Sequence, residues 1–210
     1  MAIWLVRHGE TEWSISGQHT GSTDLALTPE GQLQAVAIGK LLAGRRFDHV
    51  FASPMLRARE TGRLAGFGDR IRVHEGLLEY DYGEFEGLTT QQIWETHPRW
   101  ELFRDGCPGG ETPEQMAKRV DGVLDELREL GGNILLFGHG HCFRSVAARF
   151  LTCRSGTPRT CGWTPGRSRS SRMTGMGRRS CCGTAVSSPA RWSWPTSPPR
   201  SLARSPSDSG

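Results

Sequence analysis

The 210 residues are enough for one domain with a core that folds unaided, and the formal net charge of +4 averages two unlike parts. Residues 152–210 hold ten arginines, no lysine and one acid, Asp208, whereas residues 1–151 hold 16 basic against 21 acidic side chains. The body is thus mildly acidic, and the basic character of the whole chain gives no reason to expect nucleic acid as a partner. No apolar run approaches the ~20 residues of a membrane span, and only a short apolar stretch precedes Arg7, so neither a spanning helix nor a signal peptide is expected. The body's two cysteines, Cys107 and Cys142, fit a reducing compartment without disulfides, which makes the cytoplasm the expected location.

In chain order, Ile3–Val6 reads as a central parallel strand covered on both faces. Thr28-Pro29 then gives an N-cap with proline at the first helical position, and Leu33, Val36, Ala37 and Leu41 share the face expected to point inward. Val50–Ala52 is a second strand, Leu56–Leu64 a helix and Ile71–Val73 a short third strand. Thr112 and Gln115 form a capping box, and the helix they open places Met116, Val120, Val123, Leu124 and Leu127 inward. Ile134–Phe137 is another buried strand, followed by a helix marked by Phe143, Val146, Ala147 and Phe150. This alternation predicts a three-layer α/β/α sandwich with a mostly parallel sheet, over residues 1–151.

Residues 152–210 break the pattern: Arg, Ser, Pro and Gly dominate and aliphatic residues nearly vanish, the composition of a disordered low-complexity tail. The same composition fits a reading frame displaced near Leu151. In the frame whose codons join the last base of one codon to the first two of the next, Cys181-Cys182 forces leucine and Trp163-Thr164 forces aspartate. Such a frame permits a loop followed by an apolar strand. On that reading the tail's own arginines, tryptophans and cysteines carry no function, and a final strand of the sheet is missing.

Polar side chains follow four apolar segments: Arg7-His8, Ser53 to Arg57, Glu79 and His139. Ligand crevices of open α/β sheets lie at the carboxyl ends of strands, so these groups are expected to converge. Two guanidinium groups, two imidazoles and a carboxyl suit a phosphomonoester: cations for its oxygens, a nucleophile in line and an acid for the leaving oxygen.

The segments LVRHGETEW (5–13), SPMLRARET (53–61), LLEYDYGEFEGLT (77–89) and FGHGH (137–141) resemble, in order, the signatures of the histidine phosphatase, or phosphoglycerate mutase-like, superfamily. The resemblance implies that His8 is the nucleophile, forming a phosphohistidine that water hydrolyses. It implies that Arg7 and Arg57 grip phosphoryl oxygens bidentately, that His139 adds a donor, and that Glu79 protonates the leaving oxygen. No metal or other cofactor is implied. LFRDGCPGGET (102–112) is similar to the branch of sedoheptulose-bisphosphatase-like sugar-phosphate phosphatases, which makes Arg104 a candidate contact for a distal phosphate or hydroxyl. Ser14, where many members have asparagine, is carried as a substrate contact. His141 either lines the pocket or starts a helix, Glu84 and Glu86 read as loop charges, and Cys142 as core.

The expected activity is therefore metal-independent hydrolysis of a small phosphorylated metabolite, a sugar phosphate. Phosphoglycerate mutase activity is the alternative, disfavoured by the short segment between Glu79 and Gly110. An inactive or unstable product, or a nucleic-acid-binding protein acting through its tail, is the reading from another class. The sequence leaves the oligomeric state open.

Overall fold

A computed structural model describes residues 1–153. The basic segment and the displaced frame expected after Leu151 fall outside the described residues, apart from the last residues of a helix.

Four parallel strands, β1 (Ala2–Arg7), β2 (His49–Ala52), β3 (Ile71–Val73) and β4 (Asn133–Gly138), form one sheet in the order β1-β4-β2-β3. β4 is the axis, its residues Ile134, Leu135, Leu136 and Phe137 having no exposure. Side chains alternate across a strand, so these four feed two cores. Ile134 and Leu136 join the core under α6 (Pro113–Leu130) and α7 (Gly140–Cys153), while Leu135 and Phe137 join the one under α2 (Pro29–Leu42). α3 (Leu56–Gly62) continues into a wide turn over Arg63–Phe67 on that second face. The result is the expected α/β/α sandwich.

Local signals set most boundaries. Thr28 caps α2 through the Gly31 N–H, with proline following. Thr112 and Gln115 close both halves of the capping box on α6, whose five expected apolar residues are all buried. Three short helices, α1 (Glu12–Ser16), α4 (Thr90–Thr96) and α5 (Leu102–Asp105), were not read from the apolar pattern. Each is too short to show a period, although Thr89 and Gln92 form a capping box that marks the start of α4.

Two expectations need correction. β1 is an edge strand among the described residues, hydrogen-bonded only to β4, and Trp4 and Leu5 each keep 36% of their surface exposed. α2 turns the other way about its axis. It buries Gly31, Ala35 and Leu42, while Leu33 and Leu41 are 65% and 77% exposed. Backbone contact decides this: a Cβ on Gly9 would come within 2.3 Å of the Gly31 carbonyl oxygen, and one on Gly39 within 2.7 Å of the Ala65 oxygen. The small residues face the protein because only they allow that approach, and Leu33, Val36 and Leu41 are left outside.

These exposures set opposite costs for similar substitutions. Leu41→Ser is expected to change unfolding free energy by no more than ~0.5 kcal/mol. Leu136→Ala, on β4, should cost about 2–5 kcal/mol. Urea unfolding of the two variants measures the contrast, and equal losses would show that α2 is placed wrongly.

Candidate active site

The carboxyl ends of β1, β2 and β4 bring His8, Ser53 and His139 together. The His8 amide donates to the Gly138 carbonyl, that of Ser53 to the Phe137 carbonyl, and the two imidazole rings stand 5.3 Å apart. His8 Nδ1 lies 2.7 Å from the Gly9 carbonyl oxygen and must donate to it, so the lone pair is on Nε2. Burial, with a smaller push from Arg57 and Arg7, lowers this imidazole to about 4 against the pull of the Gly9 carbonyl. His8 is thus a neutral base with a fixed tautomer at ordinary pH. Behind it the Gly9 amide donates to Thr61 Oγ1, which itself donates to the Arg57 carbonyl, tying the loop to α3.

His139 has no exposure and both ring nitrogens are engaged. Arg57 Nε donates to Nδ1 at 3.3 Å, so Nε2 carries the proton and donates to Ser53 Oγ at 2.7 Å. Burial and the nearby Arg57 hold it well below the usual histidine range. Ser53, part of a quoted motif but not among the expected site residues, is thus the group that His139 must release to reach a ligand.

The two arginines differ sharply. Arg7 is exposed, with no hydrogen bond or ion pair among the described residues, and would lie 3.5 Å through Nε from a Cβ on Gly140. Its field reaches His8, Glu79, His139 and His141. Arg57 is fully buried and donates also to the carbonyls of Thr20, Gly21 and Thr23 at 3.2, 3.0 and 2.8 Å. Only one Nη1 hydrogen is left over, so the expected two-pronged grip is open to Arg7 and not to Arg57, which braces the loop through Thr20–Thr23. The same loop is held by the Glu86 carboxylate, which accepts from the amides of Gly21 and Thr23, and by Asp24, which accepts from the Leu56 amide at the start of α3. Glu86 is therefore an anchor rather than a solvated charge.

Glu79 sits at the N-terminus of α7 and accepts backbone N–H groups from Tyr80, His141 and Cys142 at 3.0, 3.0 and 2.7 Å. These donors favour the carboxylate. Burial outweighs them, and the Glu79 carboxyl is held above its ordinary range despite these donors and Arg7. Its backbone is fixed by Arg119 of α6, a residue the sequence pattern did not single out. Arg119 donates to the carbonyls of Gly76, Leu78 and Glu79 while paired with Glu111 at 2.7 Å.

Two expected substrate contacts are committed elsewhere. The Ser14 hydroxyl accepts from the Thr11 amide and donates to the Thr11 carbonyl, completing the cap of α1. The Arg104 guanidinium is held by Asp105 at 2.6 Å, by Glu101 at 3.5 Å and by the Arg99 carbonyl on the surface of α5. Among the described residues no group of three or more His, Cys, Asp or Glu side chains is placed to hold a metal ion, and no helix is long and apolar enough to cross a membrane.

This geometry can be set against known proteins. The chain is 43% identical over 156 residues to an acid phosphatase of Mycobacterium tuberculosis, covering 71% of this chain and 75% of that protein. It is 36% identical over 176 residues to sedoheptulose 1,7-bisphosphatase of Saccharomyces cerevisiae, covering 69% of this chain and 65% of that one. A 2,3-bisphosphoglycerate-dependent phosphoglycerate mutase of Cytophaga hutchinsonii is 31% identical over 157 residues, covering 68% and 73%. A solved structure of an open reading frame product from M. tuberculosis superposes with a TM-score of 0.68 at 40% identity, over 71% of this chain and 79% of that one. Phosphoglycerate mutase from Thermus thermophilus does so at 0.60 and 38%, over 70% and 82%. Residues 3–178 match the histidine phosphatase superfamily (branch 1), and this chain belongs to that family.

Proposed function

We propose that the chain is a phosphomonoesterase that works without a metal and takes a small phosphorylated metabolite, a sugar phosphate. The observation that carries this reading is a neutral imidazole, His8, facing His139 beside the Arg7 guanidinium, with neither its Nε2 lone pair nor that guanidinium bonded among the described residues. Nε2 attacks phosphorus, the bond to the ester oxygen breaks, and that oxygen takes the proton of Glu79. Water then attacks the phosphohistidine and returns a proton to the Glu79 carboxylate, so the cycle closes without external acid. Arg7 compensates the charge on the phosphoryl oxygens, and the remaining N–H of Arg57 adds to it.

Hydrolysis rather than mutase chemistry is supported by the 43% identity to an acid phosphatase, against 31% to the Cytophaga mutase and 38% to the Thermus one. The sugar-phosphate class is supported by the name of the Saccharomyces cerevisiae relative. Incubating the enzyme with 3-phosphoglycerate and a trace of 2,3-bisphosphoglycerate separates the readings: free phosphate marks the phosphatase, and 2-phosphoglycerate without it marks the mutase. Rapid acid-free quench should trap phosphate on His8, and His8→Ala should lose activity by roughly 10⁴-fold or more.

The electrostatics dictate the pH profile. His8 attacks only when unprotonated, and its depressed pKa places the acid limb of kcat/KM near 4, after correction for the substrate's own ionisation. Glu79 must carry a proton, so activity falls as pH rises past its elevated value. An acid limb at the ordinary histidine value of about 6.5 would contradict the buried, neutral nucleophile.

Glu79→Gln should cost about 10²–10⁴-fold on phenyl phosphate, whose leaving oxygen needs a proton. The loss on p-nitrophenyl phosphate, a far better leaving group, should be much smaller. Equal losses on the two esters would remove Glu79 from the acid role.

A further inference from the structure

The two oxygens of the Glu79 carboxyl have unlike surroundings. Oε1 accepts the amides of both Tyr80 and Cys142, whereas Oε2 accepts the amide of His141 alone. Two donors occupy Oε1, so a proton on this carboxyl resides on Oε2. On that side stands the His141 ring, its Nδ1 3.9 Å from Oε2 and 2.6 Å from the Tyr82 hydroxyl oxygen. Tyr82 is 1% exposed, and Nδ1 is the only hydrogen-bond partner of its hydroxyl among the described residues, so the hydroxyl proton points there. The Tyr82 ring is held against His19 at 4.7 Å, and His19 Nε2 meets Thr90 Oγ1 at 3.2 Å.

We propose that Tyr82 is a positioning residue for the acid step: by donating to His141 Nδ1 it keeps that imidazole from taking the proton of Glu79. The proposal rests on the reading of Glu79 as proton donor. If the hydroxyl is absent, the one proton shared by the pair can leave Oε2 for Nδ1. The product is a carboxylate–imidazolium pair with the same net charge and no proton to give the leaving oxygen. A cation this close favours the carboxylate by a factor of about ten or more.

The surrounding charges act in the same sense as the clamp. Facing His141 are Arg7 at the end of β1, Arg144 in α7, His19 from the loop after α1, and Glu79 and Tyr82 from the segment after β3. The uncharged Phe103 of α5 packs 5.7 Å from the ring. Burial, Arg144 and Arg7 hold His141 down at about 4, and burial with the nearby Glu79 holds the Tyr82 hydroxyl well above 10, so it keeps its proton. Among the described residues Glu79 is the one carboxyl within 4.0 Å of the ring nitrogens, and burial raises it above its ordinary range.

The test is the pH profile of kcat for phenyl phosphate in wild type, Tyr82→Phe and the same change on a His141→Asn background. Because the misplaced proton leaves the total proton count unchanged, Tyr82→Phe should lower the plateau about tenfold and raise the alkaline pKa by about one. The profiles of wild type and variant then converge at high pH, whereas a merely structural loss runs parallel at every pH. On the His141→Asn background, where no base competes, Tyr82→Phe should leave the plateau in place. A parallel loss, no loss, or a loss that persists without His141 overturns the proposal. Nitrogen NMR of wild type reads the same clamp without a variant: between pH 5 and 7 the proton of His141 should be on Nε2, and a proton on Nδ1 there is equally fatal. If wild type neither hydrolyses the ester nor forms a phosphohistidine, the phosphatase reading fails, and the NMR result still judges the clamp.

Discussion

A guanidinium with no solvent exposure lies at the centre of this structure. Burying such a charge is costly unless its hydrogens are bonded, and Arg57 meets that demand with three loop carbonyls and the Nδ1 of His139. Those bonds link three parts of the chain that share no local sequence: α3, the loop through Thr20–Thr23, and the end of β4. They also fix the tautomer of His139, which in turn fixes the hydroxyl of Ser53. The candidate site is therefore organised from beneath by one cation, and the other, Arg7, is exposed beside it.

The site keeps its histidines neutral in a positive field. His8 and His139 are deprotonated chiefly because they are buried, with the arginines adding to the effect, and the same burial raises the Glu79 carboxyl above its ordinary range. Desolvation thus acts on both groups in the direction that the proposed mechanism needs, toward a free imidazole lone pair and a protonated carboxyl. Glu79 also caps α7, so the helix whose last residues end the described chain is tied to the acid at its first turn. Arg119 secures the other side by holding the backbone of Gly76, Leu78 and Glu79.

Much of this was legible in the residue order. The capping box at Thr112, the proline after Thr28 and the unbroken apolar run of β4 are local signals, and they set α6, α2 and the sheet axis correctly. The motifs around His8 and His139 also placed those rings at strand ends, whereas Arg57 reaches the site from α3 and Glu79 from the segment well after β3. Periodicity misled where backbone contact took over, as on α2, whose Leu33, Val36 and Leu41 point outward because Gly31 and Gly39 face the protein. For β1 the apolar run suggested a central strand, and among the described residues β4 is its one neighbour.

What the sequence determined by itself is the chemistry available: two histidine-glycine corners, two arginines and a carboxylate, each following an element whose type short-range patterns define. Only the tertiary structure decided how those groups are used. It gave Ser14 to a helix cap and Arg104 to Asp105, made Arg57 a brace rather than a two-pronged clamp, and placed Tyr82 and His141 beside Glu79. The physical reason is that a side chain's hydrogens go to the nearest acceptors in space, and those acceptors lie up to 86 residues away along the chain.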